Sequence, residues 1–128
     1  MLINLSNHPY ARWDEAQKQA AQEQFGRVED YPFPPIDPAA SNQEVKALAH
    51  EYAKECKMRF VFADIPLGQV SENHAVHIQG EFTFTFHVVS ILKGEGIRCV
   101  ASTSHRQTVD YGNGKKELQF TFVQFREY

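Results

Sequence analysis

The sequence predicts an α/β protein of one domain, with a mainly parallel sheet between layers of helices in a Rossmann-like three-layer sandwich. Short apolar runs alternate with helical segments, and strands that helices connect form parallel sheets. Near the end, Gly112-Asn113-Gly114 separates two β-type segments, which predicts a C-terminal antiparallel β-hairpin. The 128 residues are enough for a single hydrophobic core.

The first unit consists of a strand, a helix and a second strand. Leu2–Leu5 is an apolar run typical of a buried strand. Asp14 is a good N-cap for a helix that runs to about Gln24, and Gly26 ends it. Arg27–Tyr31 is a weaker second strand.

A proline-rich stretch separates this unit from the second helix. The prolines of residues 32–38 favour an extended loop. Ser41-Asn42-Gln43-Glu44 has the capping-box pattern, so a helix begins there. Its end stays open, because Met58–Ile65 fits either a longer helix or a separate element.

The third unit contains one ambiguous segment. Ala75–Gln79 is the third strand, and Phe82–Phe86 alternates phenylalanine with threonine, as a strand would. A single strand over Val76–Leu92 would exceed the usual length, so we predict a buried helix over Phe82–Glu95. A fourth strand is predicted at Ile97–Ala101.

The last section is predicted to be a loop followed by the hairpin. Ser102–Arg106 is polar and is predicted to be the loop, while Gln107–Tyr111 and Lys116–Phe125 are the hairpin strands. Four apolar residues of the second hairpin strand are expected on its buried side: Leu118, Phe120, Phe122 and Phe125.

Composition excludes several classes of function. The net charge of −3 argues against a protein that coats long nucleic acid. Two cysteines without a CxxC pair indicate a reducing compartment. Because we find neither a signal peptide nor a stretch that would span a bilayer, we expect a cytoplasmic protein without a membrane partner.

Ligands of open parallel sheets bind beyond the carboxyl ends of the strands. Four predicted loops lie there: Ser6–Pro9, the proline-rich loop through Asp37, Gly80–Thr83 and Ser102–Arg106. Three of them are polar, with hydroxyl, amide, imidazole and guanidinium groups. We therefore expect the segments around His8, Glu81 and Ser104 to meet at one rim.

Three residues are candidates for catalysis, each with a structural alternative. His8 fits a proton carrier or a donor to phosphate, or a simple turn residue. Glu81 fits a general base beside phosphate-binding amides at Gly80, or an acid that stabilises a helix start. Arg106 fits a phosphate-binding guanidinium beside Ser102–His105, or a surface residue of the hairpin.

The sequence offers no support for a metal or a standard cofactor. His74 and His77 have a spacing that suits a metal, but no carboxylate or thiol completes a set. Neither GxGxxG nor GxxxxGK[ST] is present, so nothing supports NAD or P-loop ATP binding.

Three features of the sequence resemble a known group of proteins. They are the strand ending in Ser6-Asn7-His8-Pro9, the strand-Gly80-Glu81-helix unit and the Ser/Thr-rich segment before the hairpin. These are the small CRISPR-associated Rossmann-like proteins, which are related to CARF sensor domains and include stand-alone ring nucleases. The resemblance implies a homodimer that binds a cyclic oligoadenylate across its two-fold axis and cuts it without a metal.

The same resemblance implies roles for the loop residues. His8 would be the acid or donor near the phosphate, positioned by Ser6 and Asn7. Ser104, His105 and Arg106 would bind phosphate, and Glu81 and Thr83 would complete the pocket. From their loop positions alone, Gly80, Ser102 and Thr103 are further candidates for ligand binding. Two alternatives stay open: a module that binds the nucleotide without cutting it, and a structural protein whose hairpin pairs edge to edge.

Overall fold

The computed structural model describes residues 1–70 and 72–128, which form three α-helices and five β-strands. The strands are β1 (Leu2–Ser6), β2 (Val28–Asp30), β3 (Ala75–Gln79), β4 (Cys99–Asp110) and β5 (Lys116–Glu127). The helices are α1 (Glu15–Phe25), α2 (Asn42–Phe62) and α3 (Phe82–Gly94).

The strands form one sheet in the order β2-β1-β3-β4-β5. Its first four strands are parallel, and β4 pairs with β5 as an antiparallel hairpin. The chain is therefore the mainly parallel Rossmann-like sandwich that the sequence predicts.

The two faces of the sheet are covered by different helices. On one face, α1 and the Trp13 ring pack over Leu2 and Val100. On the other face, α2 and α3 pack over Ile3 and Leu5. Because side chains alternate along a strand, successive residues of β1 belong to different cores.

The helix predictions are confirmed. Asp14 accepts a hydrogen bond from the Gln17 amide at the start of α1, and Ser41 and Glu44 form the complete capping box of α2. The uncertain stretch after Met58 continues α2 to Phe62. The Phe82–Phe86 segment is helical, and its alternation is not a strand signal, since Phe84 is buried while Phe82 and Phe86 are exposed.

The predicted loop Ser102–Arg106 is wrong, because these residues lie within β4. Their backbones pair with β5, for example Ser104 with Phe122 and Arg106 with Phe120, so the predicted fourth strand and first hairpin strand are one element. A register shift between Thr103 and Ser104 marks an irregularity in the pairing. At 12 residues, β4 is longer than the usual strand.

The predicted burial of Leu118 and Phe120 is also wrong. They are 43% and 63% exposed, because β4 and β5 continue past the ends of the parallel strands. Only Phe122 and Phe125 reach the core beneath α1, and both are 8% exposed. The hairpin therefore projects as an arm beyond the carboxyl edge of the sheet.

Gly80 provides a test of the packing just beyond β3. A Cβ atom built there would lie 2.4 Å from ring carbons of Phe33, whereas one at Gly94 would meet nothing within 4 Å. We expect Gly80→Ala to lower the free energy of unfolding by about 1–3 kcal/mol through overpacking. Denaturant unfolding of both variants checks this, and equal stability for Gly80→Ala and Gly94→Ala would contradict it.

Candidate functional site

The α1 face of the sheet changes from apolar to polar toward the carboxyl ends of its strands. Leu2 and Ala75 are buried and apolar. Two residues further along their strands, Asn4 and His77 are equally buried but polar, and they lie side by side in the register of β1 and β3. Buried polar groups need partners, so their hydrogen bonds define the local structure.

Asn4 is the centre of these bonds. Its Nδ2 donates to the Asp30 carboxylate at 2.8 Å and to the His8 carbonyl oxygen at 2.9 Å. Its Oδ1 accepts from the Ser6 hydroxyl at 2.8 Å. The Trp13 indole N–H also donates to the His8 carbonyl, at 2.9 Å. The loop after β1 is thus held to the sheet by a buried amide.

The His77 ring lies between two oxygen atoms. Its Nδ1 is 2.8 Å from Asn4 Oδ1, and its Nε2 is 3.1 Å from Gln79 Oε1. The Trp13 and Phe125 rings each pack against the His77 ring in a T-shaped arrangement, at centroid distances of 5.3 and 5.6 Å. Contacts on both nitrogens and on both sides fix the ring in one orientation.

Gln79 connects this network to β4. Its Oε1 accepts from the Ser102 amide at 3.2 Å and from the Ser102 hydroxyl at 2.6 Å, and its Nε2 lies 3.3 Å from the Ser102 carbonyl oxygen. A continuous set of polar contacts therefore crosses four strands: Asp30 in β2, Asn4 in β1, His77 and Gln79 in β3, and Ser102 in β4. We call these five residues the polar row.

Burial controls the charge of His77. The ring is 2% exposed, and removal from water lowers its pKa to about 4. The contact with Gln79 opposes this shift, and the nearby His8 ring adds to it. In the protein without a ligand, His77 is therefore neutral at neutral pH.

A pocket of about 460 Å³ lies over the polar row, between the loop after β1, the start of α1 and the hairpin arm. This volume is in the range of small-molecule sites. Eleven residues line it: His8, Arg12, Trp13, Asp14, Gln17, His77, Gln79, Ser102, Ser104, Phe120 and Phe122. We call it the carboxyl-edge pocket.

The pocket has cationic, polar and aromatic walls. Arg12 makes no ion pair within the part of the chain that the structure describes. The Asp14 carboxylate is occupied by backbone amides, those of Gln17 at 2.8 Å and Phe122 at 3.2 Å. Phe120 is largely exposed at the rim. The combination suits a ligand with an anionic group and a planar ring.

Several sequence-predicted residues meet at this pocket. His8, Ser102 and Ser104 line it. Ser6 lies just beneath, where its hydroxyl accepts from the His8 amide at 3.2 Å. Asn7 lies next to it, in a smaller depression of about 260 Å³ that Tyr31 also lines.

The Glu81 segment is not part of this pocket. Glu81 and Thr83 line a separate depression of about 450 Å³ beside the proline-rich loop and α2. The Glu81 carboxylate accepts from the Phe84 amide at 2.7 Å, from the Thr83 hydroxyl at 2.7 Å and from the Thr83 amide at 3.1 Å, and these bonds lower its pKa. The expected single rim thus divides, with His8 and Ser104 at one pocket and Glu81 at another.

The remaining predicted residues lie along the arm. Arg106 is two residues after Ser104, so it shares the face of the strand that carries the pocket, and it pairs with Phe120. Thr103 donates to the Gln124 carbonyl oxygen at 3.2 Å. His105 alternates with Ser104 and points to the other face.

Sequence reasoning gave no role to five polar residues of the site: Asn4, Arg12, Gln17, Asp30 and Gln79. It also considered His77 only as a metal ligand. The signal was present, because His77 and Gln79 occupy alternate positions of the predicted strand Ala75–Gln79, while Asn4 lies in the predicted strand Leu2–Leu5 and Ser6 directly follows it. Alternate polar residues in a buried strand share one face and require a polar network there.

A second depression, of about 520 Å³, lies at the opposite edge of the sheet, near Ile97 and Cys99. Its basic groups are engaged: Arg98 bonds the Glu72 carbonyl oxygen and pairs with Glu127, and Lys93 bonds the Tyr128 carbonyl oxygen. The amino edge is also where ligands of such sheets do not usually bind. We therefore assign the candidate site to the carboxyl-edge pocket.

The fold is that of a Rossmann-like α/β protein, and the candidate ligand site lies at the carboxyl edge of its sheet. A family model described as "Uncharacterized protein MJ1673 family" matches residues 1–126, and the chain belongs to that family. No match was found among curated proteins or among solved structures.

Within residues 1–70 and 72–128, no helix is both long and apolar enough to cross a membrane. Over the same ranges, no group of three or more His, Cys, Asp or Glu side chains is placed to hold a metal ion.

The buried state of His77 predicts how stability depends on pH. Its folded pKa of about 4 lies below the ordinary histidine value of 6.5, so the unfolded chain binds a proton first as pH falls. The contribution of the neutral His77 ring to the free energy of unfolding is fully present above about pH 6.5. As pH falls toward about 4 this contribution is lost, at no more than about 1.4 kcal/mol per pH unit. Urea unfolding at a series of pH values measures it.

The matched variants are His77→Gln and His50→Gln, since His50 is exposed on α2. We expect His77→Gln to flatten the dependence between about pH 4 and 6.5, and His50→Gln to leave it unchanged. If His77→Gln keeps the slope of the unchanged protein, His77 is not the group responsible.

Proposed function

We propose that this protein binds a cyclic oligoadenylate in the carboxyl-edge pocket and cleaves it without a metal, as part of CRISPR antiviral signalling in the cytoplasm. The observation that carries the proposal is that His8, Ser102 and Ser104, from two separate segments, line one pocket together with Arg12. The resemblance to small CRISPR-associated proteins supplies the identity of the ligand.

The pocket supports a nucleotide by its chemistry. The Arg12 guanidinium and the hydroxyl of Ser104 are groups that bind phosphate oxygens, and Arg106 lies further along the same face. Phe120 offers an exposed ring on which an adenine base would stack. Arg12 would then meet the phosphate from the segment between β1 and α1, while Ser104, Arg106 and Phe120 would contact the nucleotide from the arm.

Size supports a site shared between two protomers. A volume of about 460 Å³ suits one nucleotide unit of a ring and not the whole ring. A symmetric ligand is matched by two such pockets related by a two-fold axis. The proposal therefore includes a homodimer whose two carboxyl edges face a common ligand.

Cleavage would proceed by attack of a ribose 2′-hydroxyl on the adjacent phosphorus, which opens the ring and leaves a cyclic phosphate end. In this step the 2′-hydroxyl would lose its proton to solvent water as the new O–P bond forms, and His8 would donate a proton to the departing 5′-oxygen as the old P–O bond breaks. The His8 carbonyl is bound by Asn4 and Trp13, so the loop that carries the ring is pre-organised. Arg12 would stabilise the charge that develops on phosphate.

A second candidate is sequestration of the same ligand without cleavage. It is favoured by the position of Glu81, whose carboxylate caps α3 and lies outside the pocket. Of the three residues predicted to be catalytic, only His8 lines the pocket. A site with one proton carrier is well suited to binding and less so to rapid turnover.

The matched variants for the enzymatic proposal are His8→Ala and His50→Ala. We expect His8→Ala to slow ring opening by roughly 10²–10⁴-fold, because it removes the proton donor. The exposed His50 is a surface control that should retain full activity. Product formation from cyclic tri-, tetra- and hexa-adenylate in the presence of a chelator, followed by chromatography, measures the rate.

Equal rates for the two variants would remove His8 from the mechanism. A ligand that raises the melting temperature but stays intact with the unchanged protein would establish the sequestering role instead. Arg12→Ala should abolish the thermal shift in either case, and a shift that persists in this variant would place the ligand elsewhere.

A further inference from the structure

The two polar contacts of the His77 ring require two N–H donors, and the neutral ring has only one. Asn4 Nδ2 faces the His8 carbonyl and Asp30, so Asn4 must present its Oδ1 to the ring. Gln79 likewise must present its Oε1, because that atom accepts from the Ser102 backbone amide. Both ring nitrogens of His77 therefore face acceptors.

A neutral imidazole has a single N–H, so it satisfies one of these two oxygens and opposes the other with a lone pair. The imidazolium ion donates to both. The geometry of the polar row thus favours the charged ring, whereas burial favours the neutral one. Without a ligand burial prevails, and one contact of the network remains unmatched.

Charged and titratable groups surround the ring on several elements. Asp30 of β2 is one hydrogen bond away through Asn4, and its negative charge favours an imidazolium. The His8 ring disfavours it. The Arg12 guanidinium and the Asp14 carboxylate, of opposite charge, line the same pocket as the ring. From β4 and β5 the facing groups, Ser102 and Phe122, are uncharged.

We propose that His77 takes up one proton when an anion occupies the carboxyl-edge pocket, so that anion binding and protonation of this buried ring are coupled. An anion held by Arg12 places a negative charge in the pocket that the His77 ring also lines, and a nearby negative charge favours the imidazolium. The new proton completes the contact with Gln79 or Asn4 that the neutral ring leaves unmatched.

The coupling gives His77 a role in ligand binding from the floor of the pocket. It acts through the charge that it acquires and through the position of Ser102, which Gln79 holds. The inference rests on the pocket of the proposed function being an anion site, but it requires neither cleavage nor a cyclic ligand. A protein that binds sulfate with proton uptake and ignores cyclic oligoadenylates would support this inference and contradict the proposed function.

Nitrogen-15 NMR of the histidine rings tests the coupling directly. The six histidines of the protein are labelled, and each ring is titrated with and without sodium sulfate, an anion that does not itself titrate in this range. We expect sulfate to raise the titration midpoint of His77 by about one pH unit or more. At a pH between the two midpoints, we also expect both ring nitrogens of His77 to carry protons in the sulfate-bound protein and only one nitrogen to carry a proton without sulfate.

Calorimetry of sulfate binding at several pH values provides the second readout. Coupling to one proton makes the affinity fall by up to about tenfold per pH unit as pH rises. We expect His77→Gln to lose this dependence and His50→Gln to retain it. Measurements in buffers of different ionisation enthalpy give the number of protons taken up.

Three outcomes would overturn the inference. One is a His77 titration that sulfate does not move, including the case in which no ring responds to sulfate at all. Another is a sulfate-dependent shift confined to His8, which would assign the proton to the exposed ring. The third is an unchanged pH dependence of affinity in His77→Gln. If that variant does not fold, the NMR titration of the unchanged protein still decides.

Discussion

The contact between the Asn4 carboxamide and the His77 ring is the constraint on which the site depends. It lies in the middle of the sheet, where a buried polar group without partners would cost about 1–3 kcal/mol. Because Asn4 also binds Asp30 and the His8 carbonyl, the same amide fixes β2 and the loop after β1. Part of the buried interior therefore consists of polar groups that position the pocket.

The arm gives this pocket its outer wall. Two-stranded hairpins are marginal in water by themselves, and this one is secured at its base, where Phe122 and Phe125 pack beneath α1 and Asp14 binds the Phe122 amide. Beyond that point Phe120 is exposed on the face that carries the pocket. An apolar ring kept in water beside a polar floor is a feature that a ligand or a second protomer would explain.

The sequence predicts elements well where the signal is local. Asp14 and Ser41 mark helix starts, Asn113-Gly114 marks the turn of the hairpin, and the Ala75–Gln79 strand is found at its exact limits. It fails at Ser102–Arg106, where a polar run is indistinguishable from a loop until the pairing with β5 is known. The pocket floor was missed for a similar reason, since partners such as Asn4 and His77 are distant in sequence and adjacent only across the sheet.

Hydrogen–deuterium exchange with and without a cyclic oligoadenylate tests the placement of the ligand most directly. If the ligand binds over the polar row, amides of residues 6–13 and 102–106 become protected, while those of residues 81–84 and 96–98 do not change. Protection confined to residues 96–98, at the amino edge of the sheet, would contradict the account. So would protection confined to residues 81–84, beside the Glu81 cap.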